Sequence, residues 1–265
     1  MLLQILPKWY HSAKKQYAFI YLICGLITML KNLEKEINKL KNKEKAKVYA
    51  RFFKTGKGQY SEGDIFLGLT VPEQRKIALR YLGLSLKDLS KLLHSRVHEY
   101  RFTALEILVV KYEKGDLNLK NKIANFYLKN TKYINNWDLV DTSAPYILGD
   151  YLLDKDKSIL FSLAKSSNLW EKRIAIISTF RFIKENKFDE TLKISKILLK
   201  DKHDLIHKAI GWMLREIGKK DEKTEENFLK ENYKDIPRTT LRYAIERFDN
   251  EKKKFYMNMK AFGRS

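Results

Sequence analysis

An internal repeat of 36 residues is the feature that most constrains the fold of this chain. Four helical segments align at that constant spacing, through Arg101, Trp137, Arg173 and Ala209. Apolar residues recur at helical spacing from residue 31 onward, and no stretch alternates as a strand does. A repeat built from two helices is typical of α-solenoids, although 36 residues is slightly shorter than most HEAT or armadillo repeats. The sequence therefore predicts an all-α fold, a curved solenoid of HEAT-like repeats with a concave binding cleft.

Turn-forming residues support this prediction. The 265 residues include only 4 prolines and 11 glycines, too few for the many turns of a β-sandwich or barrel. Long helices are predicted over 31–54, 133–153 and 169–185, among others. Pro145 lacks the amide that would bond the carbonyl of Asp141, so the helix carrying Asp141 should kink or end there.

The chain carries 53 Lys and Arg against 32 Asp and Glu, a net charge of +21. Charge of this size indicates a polyanionic partner, and nucleic acid is the first candidate. Lysine greatly outnumbers arginine, however, and an AT-rich genome would produce the same excess without selection for DNA binding. The single cysteine, Cys24, excludes a disulfide framework. We expect a cytoplasmic protein of bacterial type.

The amino-terminal stretch 1–28 is a doubtful extension. Residues 17–30 form an uncharged apolar run after three lysines, too short for a comfortable membrane span and without a recognisable cleavage site. A mis-called start near Met29, an added helix, and an export or anchor segment all remain open. We expect a HEAT-like-repeat domain over 29–250 and a basic tail over 251–265.

Polar side chains placed where a helix should be apolar are the candidate functional residues. Trp137 and Asp141 are four residues apart and share one helical face. Arg173 falls on an apolar face, where it must snorkel, pair with a carboxylate or meet an anion. The alternative for Asp141, or for its neighbour Asp138, is a helix-capping role.

A second stripe combines basic and aromatic residues. Lys208, Trp212 and Arg215 lie at i, i+4 and i+7 of one predicted helix, an arrangement that suits a backbone phosphate beside a cationic base. Gly211 next to Trp212 would allow close approach of a ligand or another backbone. A core role for Trp212 is the alternative. Because the repeats stack, Asp141, Arg173 and Trp212 are predicted to converge on one cleft.

Four ordered motifs resemble one known family. ARFFKTGKGQYSEGDIFLGLTVPEQRKIA, NNWDLVDTSAPYILGD, WEKRIAI and KAIGWMLRE occur in that order between about Leu33 and Phe248. Together they resemble the AlkD-type DNA alkylation repair family, the HEAT-like-repeat DNA glycosylases. The resemblance implies excision of cationic N7- and N3-alkylated purines, such as 7-methylguanine and 3-methyladenine, from double-stranded DNA, with the lesion left stacked rather than flipped.

The resemblance also implies site residues. Asp141 matches the catalytic carboxylate, and Trp137 and Trp212 match tryptophans that pack around the lesion and its deoxyribose. Arg173 and Arg215 match arginines that face the DNA backbone. In this mechanism the carboxylate and the indole faces stabilise an oxocarbenium-like sugar, and water completes the hydrolysis.

One position departs from the family pattern. Phe52 stands where the family has a lesion-facing tyrosine, so lesion contact there is in doubt. The loop TGKGQYSEGD is interpreted as a connector, because it lacks the G-x-x-x-x-G-K-[ST] phosphate motif. Lys54, just before this loop, and Lys57 within it are candidate phosphate contacts.

Two other functions remain open at this stage: a non-catalytic DNA-binding repeat protein, which Phe52 favours, and a protein-binding scaffold. His94 and His98 are four residues apart but lack a metalloprotease glutamate, so we expect no metal and no cofactor. The expected partner is alkylated duplex DNA, bound by a monomer that does not associate with a membrane.

Overall fold

A computed structural model describes residues 29–258, and these residues are helical with irregular connections. The predicted extension 1–28 and residues 259–265 lie outside the described part. The only β-type pairing within 29–258 is an isolated parallel bridge between Ile65 and Val97. The all-α prediction is therefore confirmed for the described residues. No helix within 29–258 is long and apolar enough to cross a membrane.

The chain divides into two compact units between Ile107 and Leu108. The helices of the first unit begin with α1, over 29–39, and continue in the following order. They are α2 Lys43–Phe52, α3 Val71–Arg80 and α4 Leu86–Leu93, with α5 His98–Lys114 containing the division.

The helices of the second unit differ widely in length. They are α6 Leu117–Lys129, α7 Trp137–Asp141, α8 Asp150–Leu152, α9 Ser158–Ala164, α10 Leu169–Ser178, α11 Phe180–Lys184, α12 Asp189–Leu198, α13 Asp204–Gly218, α14 Glu222–Asn232, α15 Arg238–Ala244 and α16 Asn250–Asn258. Single 3-10 turns cover Thr131–Tyr133 and Ile245–Arg247, and a π-helical turn covers Pro145–Gly149.

A buried carboxylate organises the irregular segment of the first unit. Glu99 is 1% exposed, and its Oε1 accepts hydrogen bonds from the backbone amides of Leu67 and Gly68 at 2.9 and 2.8 Å. Gly68 has a φ of +90°, and a Cβ there would lie 2.2 Å from the carbonyl oxygen of Asn42. The segment that leads into α3 is thus held by α5.

The core of the second unit forms around α10 and α13. Helix α10 packs against α7, α9, α12 and α13, and α13 packs against α14 and α15. Both helices bury continuous apolar faces, with Ile174, Ile177, Ile210 and Leu214 inaccessible to solvent. Burial of each such side chain contributes about 1.5 to 3 kcal/mol, so this core fixes the position of polar residues on the same helices.

The predicted single helix over 31–54 is wrong. It is interrupted at 40–42, where the side chain of Asn42 accepts a hydrogen bond from the amide of Lys45 and caps α2. The backbone amide of Asn42 bonds to the carbonyl of Leu67 instead of continuing the helix. Asparagine competes for backbone partners in this way and therefore favours helix starts.

Two further predicted helices are also divided. The stretch 133–153 becomes α7, the π-helical turn and α8, and α7 ends at Asp141, as the position of Pro145 predicted. The stretch 169–185 divides into α10 and α11 at Thr179, whose hydroxyl donates to the carbonyl of Ile176. Hydroxyl side chains that bond backward to the backbone often bend helices.

Candidate active site

Asp141 and Arg173 form a two-point ion pair in the second unit. Nε of Arg173 donates to Oδ1 of Asp141 at 2.9 Å, and Nη2 donates to Oδ2 at 2.7 Å. Nη1 donates to the carbonyl of Leu205 at 2.6 Å, so the guanidinium bridges α7, α10 and α13. Asp141 is therefore not a helix cap; Asn136 caps α7 through its side chain.

The pair is mostly withdrawn from water. The side chain of Arg173 is 6% exposed and that of Asp141 is 17% exposed. A bidentate guanidinium fixes the orientation of a carboxylate as well as neutralising it. Asp141 is consequently a carboxylate of fixed orientation, and part of its side chain remains accessible to solvent.

Burial and pairing act on Asp141 in opposite directions. Desolvation raises the pKa of the Asp141 carboxyl above its ordinary value, and the guanidinium of Arg173 opposes that rise. The neighbouring carboxylate of Asp138 adds a smaller effect that also raises the pKa. A carboxylate in such a setting suits the stabilisation of a positive charge that approaches it.

A buried hydroxyl pair lies behind the carboxylate. Oη of Tyr127 and Oγ of Ser143 are 2.9 Å apart, and Ser143 also donates to the carbonyl of Leu139 at 2.5 Å. Burial raises the pKa of Tyr127, and the charge of Asp141 raises it further. The hydroxyl is therefore neutral and ties α6 to the end of α7.

The predicted basic and aromatic stripe lies on α13, and acidic side chains contact each member. Nζ of Lys208 is 2.8 Å from Oδ2 of Asp204. Nε1 of Trp212 donates to Oε1 of Glu216 at 3.1 Å. Arg215 pairs with Glu246, and its side chain is 18% exposed.

Trp212 lies on the same helix as Leu205, which binds the guanidinium of Arg173. It is seven residues after Leu205, hence on the same face of α13 and about 10 Å further along the axis. The rings of Trp212 and Phe180 have centroids 5.9 Å apart. Trp137 is half-buried at the start of α7, four residues before Asp141.

Gly211 allows a protein backbone, not a ligand, to approach α13. A Cβ at this position would lie 2.5 Å from the carbonyl oxygen of Thr240 and 2.5 Å from Cβ of Tyr243. Helix α15 therefore packs directly against the glycine. Of the two alternatives that the sequence left open, close backbone approach is the one observed.

Phe52 and Lys54 belong to the first unit. Phe52 ends α2 and is 63% exposed, and its ring lies 5.1 Å from that of Phe53. Lys54 follows with a φ of +56° and an exposed side chain. Helix α2 itself has no buried residue.

Several contributors to the site were not found from the sequence. The carbonyl of Leu205 and the hydroxyl of Tyr127 carry no distinctive motif, and their roles arise from packing. Glu216 could have been found, because it follows Trp212 by four residues on the same helix face. Within residues 29–258, no group of three or more His, Cys, Asp or Glu side chains is placed to hold a metal ion.

Comparisons with known proteins agree with the motifs. The model of the DNA alkylation repair enzyme family matches residues 33–248. A solved structure described as a predicted DNA alkylation repair enzyme from Enterococcus faecalis aligns with a TM-score of 0.61 at 18% identity, covering 79% of this chain and 97% of that chain.

A second solved structure, smu.31 from Streptococcus mutans UA159, aligns with a TM-score of 0.47 at 19% identity, covering 83% of this chain and all of that chain. No curated protein gives a significant match. The likeness to the Enterococcus faecalis structure concerns the fold, whereas the family match extends over most of the sequence. The chain belongs to the DNA alkylation repair enzyme family.

Proposed function

We propose that this protein is a monofunctional DNA glycosylase that excises cationic N7- and N3-alkylated purines from duplex DNA in base excision repair. The observation that carries the proposal is the carboxylate of Asp141, held at two points by Arg173 in a chain of the DNA alkylation repair family. 7-Methylguanine and 3-methyladenine are the expected substrates.

The reaction begins with a good leaving group, because an alkylated purine already carries positive charge. As the glycosidic bond breaks, positive charge moves to the deoxyribose. Asp141 stabilises that oxocarbenium character, and Arg173 keeps the carboxylate oriented so that little reorganisation is needed. Water then adds to the sugar and completes the hydrolysis.

The indoles of Trp137 and Trp212 would complete the site. Aromatic faces attract cations, so both rings suit a cationic base and its sugar. We propose that the helices form a HEAT-like solenoid whose concave cleft holds the duplex, and that the lesion remains stacked. Lesions this labile require a barrier reduction of only several kcal/mol.

Binding outside the reacting atoms would come from four further residues. Phe52 packs on the sugar or backbone, Lys54, Lys208 and Arg215 meet phosphates, and the protein acts as a monomer without metal. Lys208 and Arg215 lie beside Asp204 and Glu246, so phosphate contact there requires those ion pairs to open.

Release of 7-methylguanine from methylated duplex DNA tests the proposal. Asp141→Asn should reduce the single-turnover rate by about 100-fold or more, the size of effect seen when one charge-stabilising group is removed. Asp138→Asn is the matched control, because Asp138 is on the same helix and accepts a bond from the amide of Leu139 that asparagine can also accept.

Asp141→Asn should unfold at a lower temperature than Asp138→Asn, because it removes the buried partner of Arg173. Release is therefore measured at a temperature at which both variants are fully folded, which separates chemistry from folding. No release above the spontaneous rate by the wild-type protein, under conditions in which it binds the duplex, would reject the enzyme function.

One observation favours a second candidate, a non-catalytic DNA-binding protein. Phe52 lacks the hydroxyl of the family's tyrosine and is largely exposed. That function predicts salt-sensitive binding without base release, and Phe52→Tyr would then leave release undetectable. If the protein is a glycosylase, wild type and Phe52→Tyr should both release the base.

A further inference from the structure

A basic groove opens in the second unit beside the ion pair. It has a volume of about 790 Å³ and is open to solvent. Its walls are the ends of α9 and α12 and the connections that follow them. The polar residues along it include Lys165, Ser166, Ser167, Lys172, Lys200 and Lys202.

The charge of the groove is almost entirely positive. Its one carboxylate, Asp201, pairs with Lys172 at 2.7 Å. Burial raises the pKa of Asp201, whereas hydrogen bonds from Lys172 and the backbone of His203 lower it. The lowering effects together are larger, so the pKa of Asp201 lies below its ordinary value. Asp201 is therefore ionised, and Lys172 neutralises it.

Three lysines remain without a counter-charge. Lys165, Lys200 and Lys202 are exposed, and none of them has an ion-pair partner within residues 29–258. Ser167 is exposed at the same rim, and its hydroxyl can donate to an anion.

The location of the groove indicates its occupant. Lys172 lines the groove, and the next residue, Arg173, holds Asp141. Three of the five N–H donors of Arg173 bond to Asp141 and Leu205. Because the side chain is only 6% exposed, Arg173 has little capacity for a phosphate. The groove is also large, about 790 Å³, and open to solvent, which suits an extended polyanion better than one small anion that needs converging donors.

We propose that this groove binds the phosphodiester backbone of duplex DNA next to the lesion, with Lys165, Lys200 and Lys202 contacting phosphates. The inference rests on the proposed function for the identity of the polyanion. It transfers the backbone-binding role from Arg173 to lysines that the sequence motifs do not contain.

Salt dependence of binding to undamaged duplex DNA tests this proposal. The triple variant Lys165→Gln/Lys200→Gln/Lys202→Gln should reduce the slope of log affinity against log salt by about 2 to 3, because each phosphate contact contributes about 0.9. Affinity at 100 mM salt should fall by at least about tenfold.

A matched control removes the same charge elsewhere in the second unit. Lys220→Gln/Lys223→Gln/Lys234→Gln alters three exposed lysines beyond the groove. It should change the slope by less than about 1. Equal slope changes in the two triple variants would overturn the proposal, since the effect would then be one of net charge.

A competition arm distinguishes DNA from a small anion. Inorganic phosphate at constant ionic strength should displace DNA equally from wild type and from the groove variant. Selective displacement from wild type at millimolar phosphate would identify a small-anion site and overturn the assignment to DNA. Because undamaged DNA is used, the result is independent of base release: a protein that binds through the groove but releases no alkylpurine would contradict only the proposed function.

Discussion

Arg173 both positions Asp141 and opposes the effect of burial on its ionisation. In the proposed mechanism the ionised carboxylate is the active form, so activity should be lost as the pH falls through the pKa of Asp141. Desolvation raises that pKa and Arg173 lowers it. At the residue scale, the ion pair therefore determines the acid limit of the proposed reaction, which is the pH below which its rate falls.

Removing the guanidinium should move this acid limit upward. In Arg173→Met, burial is unopposed, so the pKa of Asp141 rises and the acid limb of the rate profile shifts by about one pH unit or more. The measurement is single-turnover alkylpurine release between pH 5 and 9, corrected for spontaneous loss. Arg181→Met is the control, because Arg181 pairs with Asp150 and Glu185. An unchanged limb would contradict the assignment of that limb to Asp141.

Glu225 is another buried carboxylate, and we expect it to affect stability rather than chemistry. It is 1% exposed and its Oε1 has no hydrogen-bond partner. Burial, with the nearby charges of Glu222 and Glu226, raises the pKa of Glu225 to about 9. The native state therefore keeps a proton that the unfolded chain releases above about pH 4.5.

Stability should consequently decrease as pH rises from about 4.5 to 9. Glu225→Gln removes this proton linkage and should raise the free energy of unfolding by roughly 1 to 3 kcal/mol at pH 8, with a smaller gain at pH 5. Urea unfolding at both pH values measures the difference. Glu226→Gln should show no such gain, because hydrogen bonds from Lys252 and Lys230 lower the pKa of Glu226. Equal gains at pH 5 and pH 8 would argue against a raised pKa.

At the scale of elements, helix ends were the hardest feature to predict. The helical spacing of apolar residues depends on many positions, and it continues through both α1 and α2. The break between them depends on Asn42, whose amide bonds to Leu67, a residue 25 positions further along the chain. The end of α7 was predictable because Pro145 acts locally.

The close contact between α13 and α15 depends on the absence of a side chain at Gly211. Gly211→Ala would place Cβ 2.5 Å from the Thr240 carbonyl oxygen, so the helices must separate. We expect a loss of about 1 to 3 kcal/mol in the free energy of unfolding, measured by urea titration. Gly83→Ala is the control, since its Cβ would meet only the flexible side chain of Met29. Similar losses in both variants would contradict a specific clash at α13.

At the scale of the whole molecule, the net charge of +21 bears on association rather than on fold. Affinity for duplex DNA should fall steeply with salt, by at least about tenfold between 50 and 200 mM. Because the charge term is sequence-independent, the salt slope should be the same for methylated and undamaged duplexes, and the same for Asp141→Asn. Fluorescence anisotropy over a salt series measures it. A slope near zero would instead favour a protein-binding scaffold.

The sequence by itself determined the all-α fold, the family and the short list of chemically unusual residues. These follow from the helical spacing of apolar residues, from the positions of proline and glycine and from ordered motifs, all of which are local patterns in the sequence. The solenoid and its cleft remain predictions. Only the tertiary structure decided that Arg173 pairs with a carboxylate rather than snorkelling or meeting an anion. Its partners Asp141 and Leu205 are each 32 residues away along the chain. The same reason applies to Lys165, Lys200 and Lys202: no local pattern relates them, and the packing of α9 against α12 brings them to one groove.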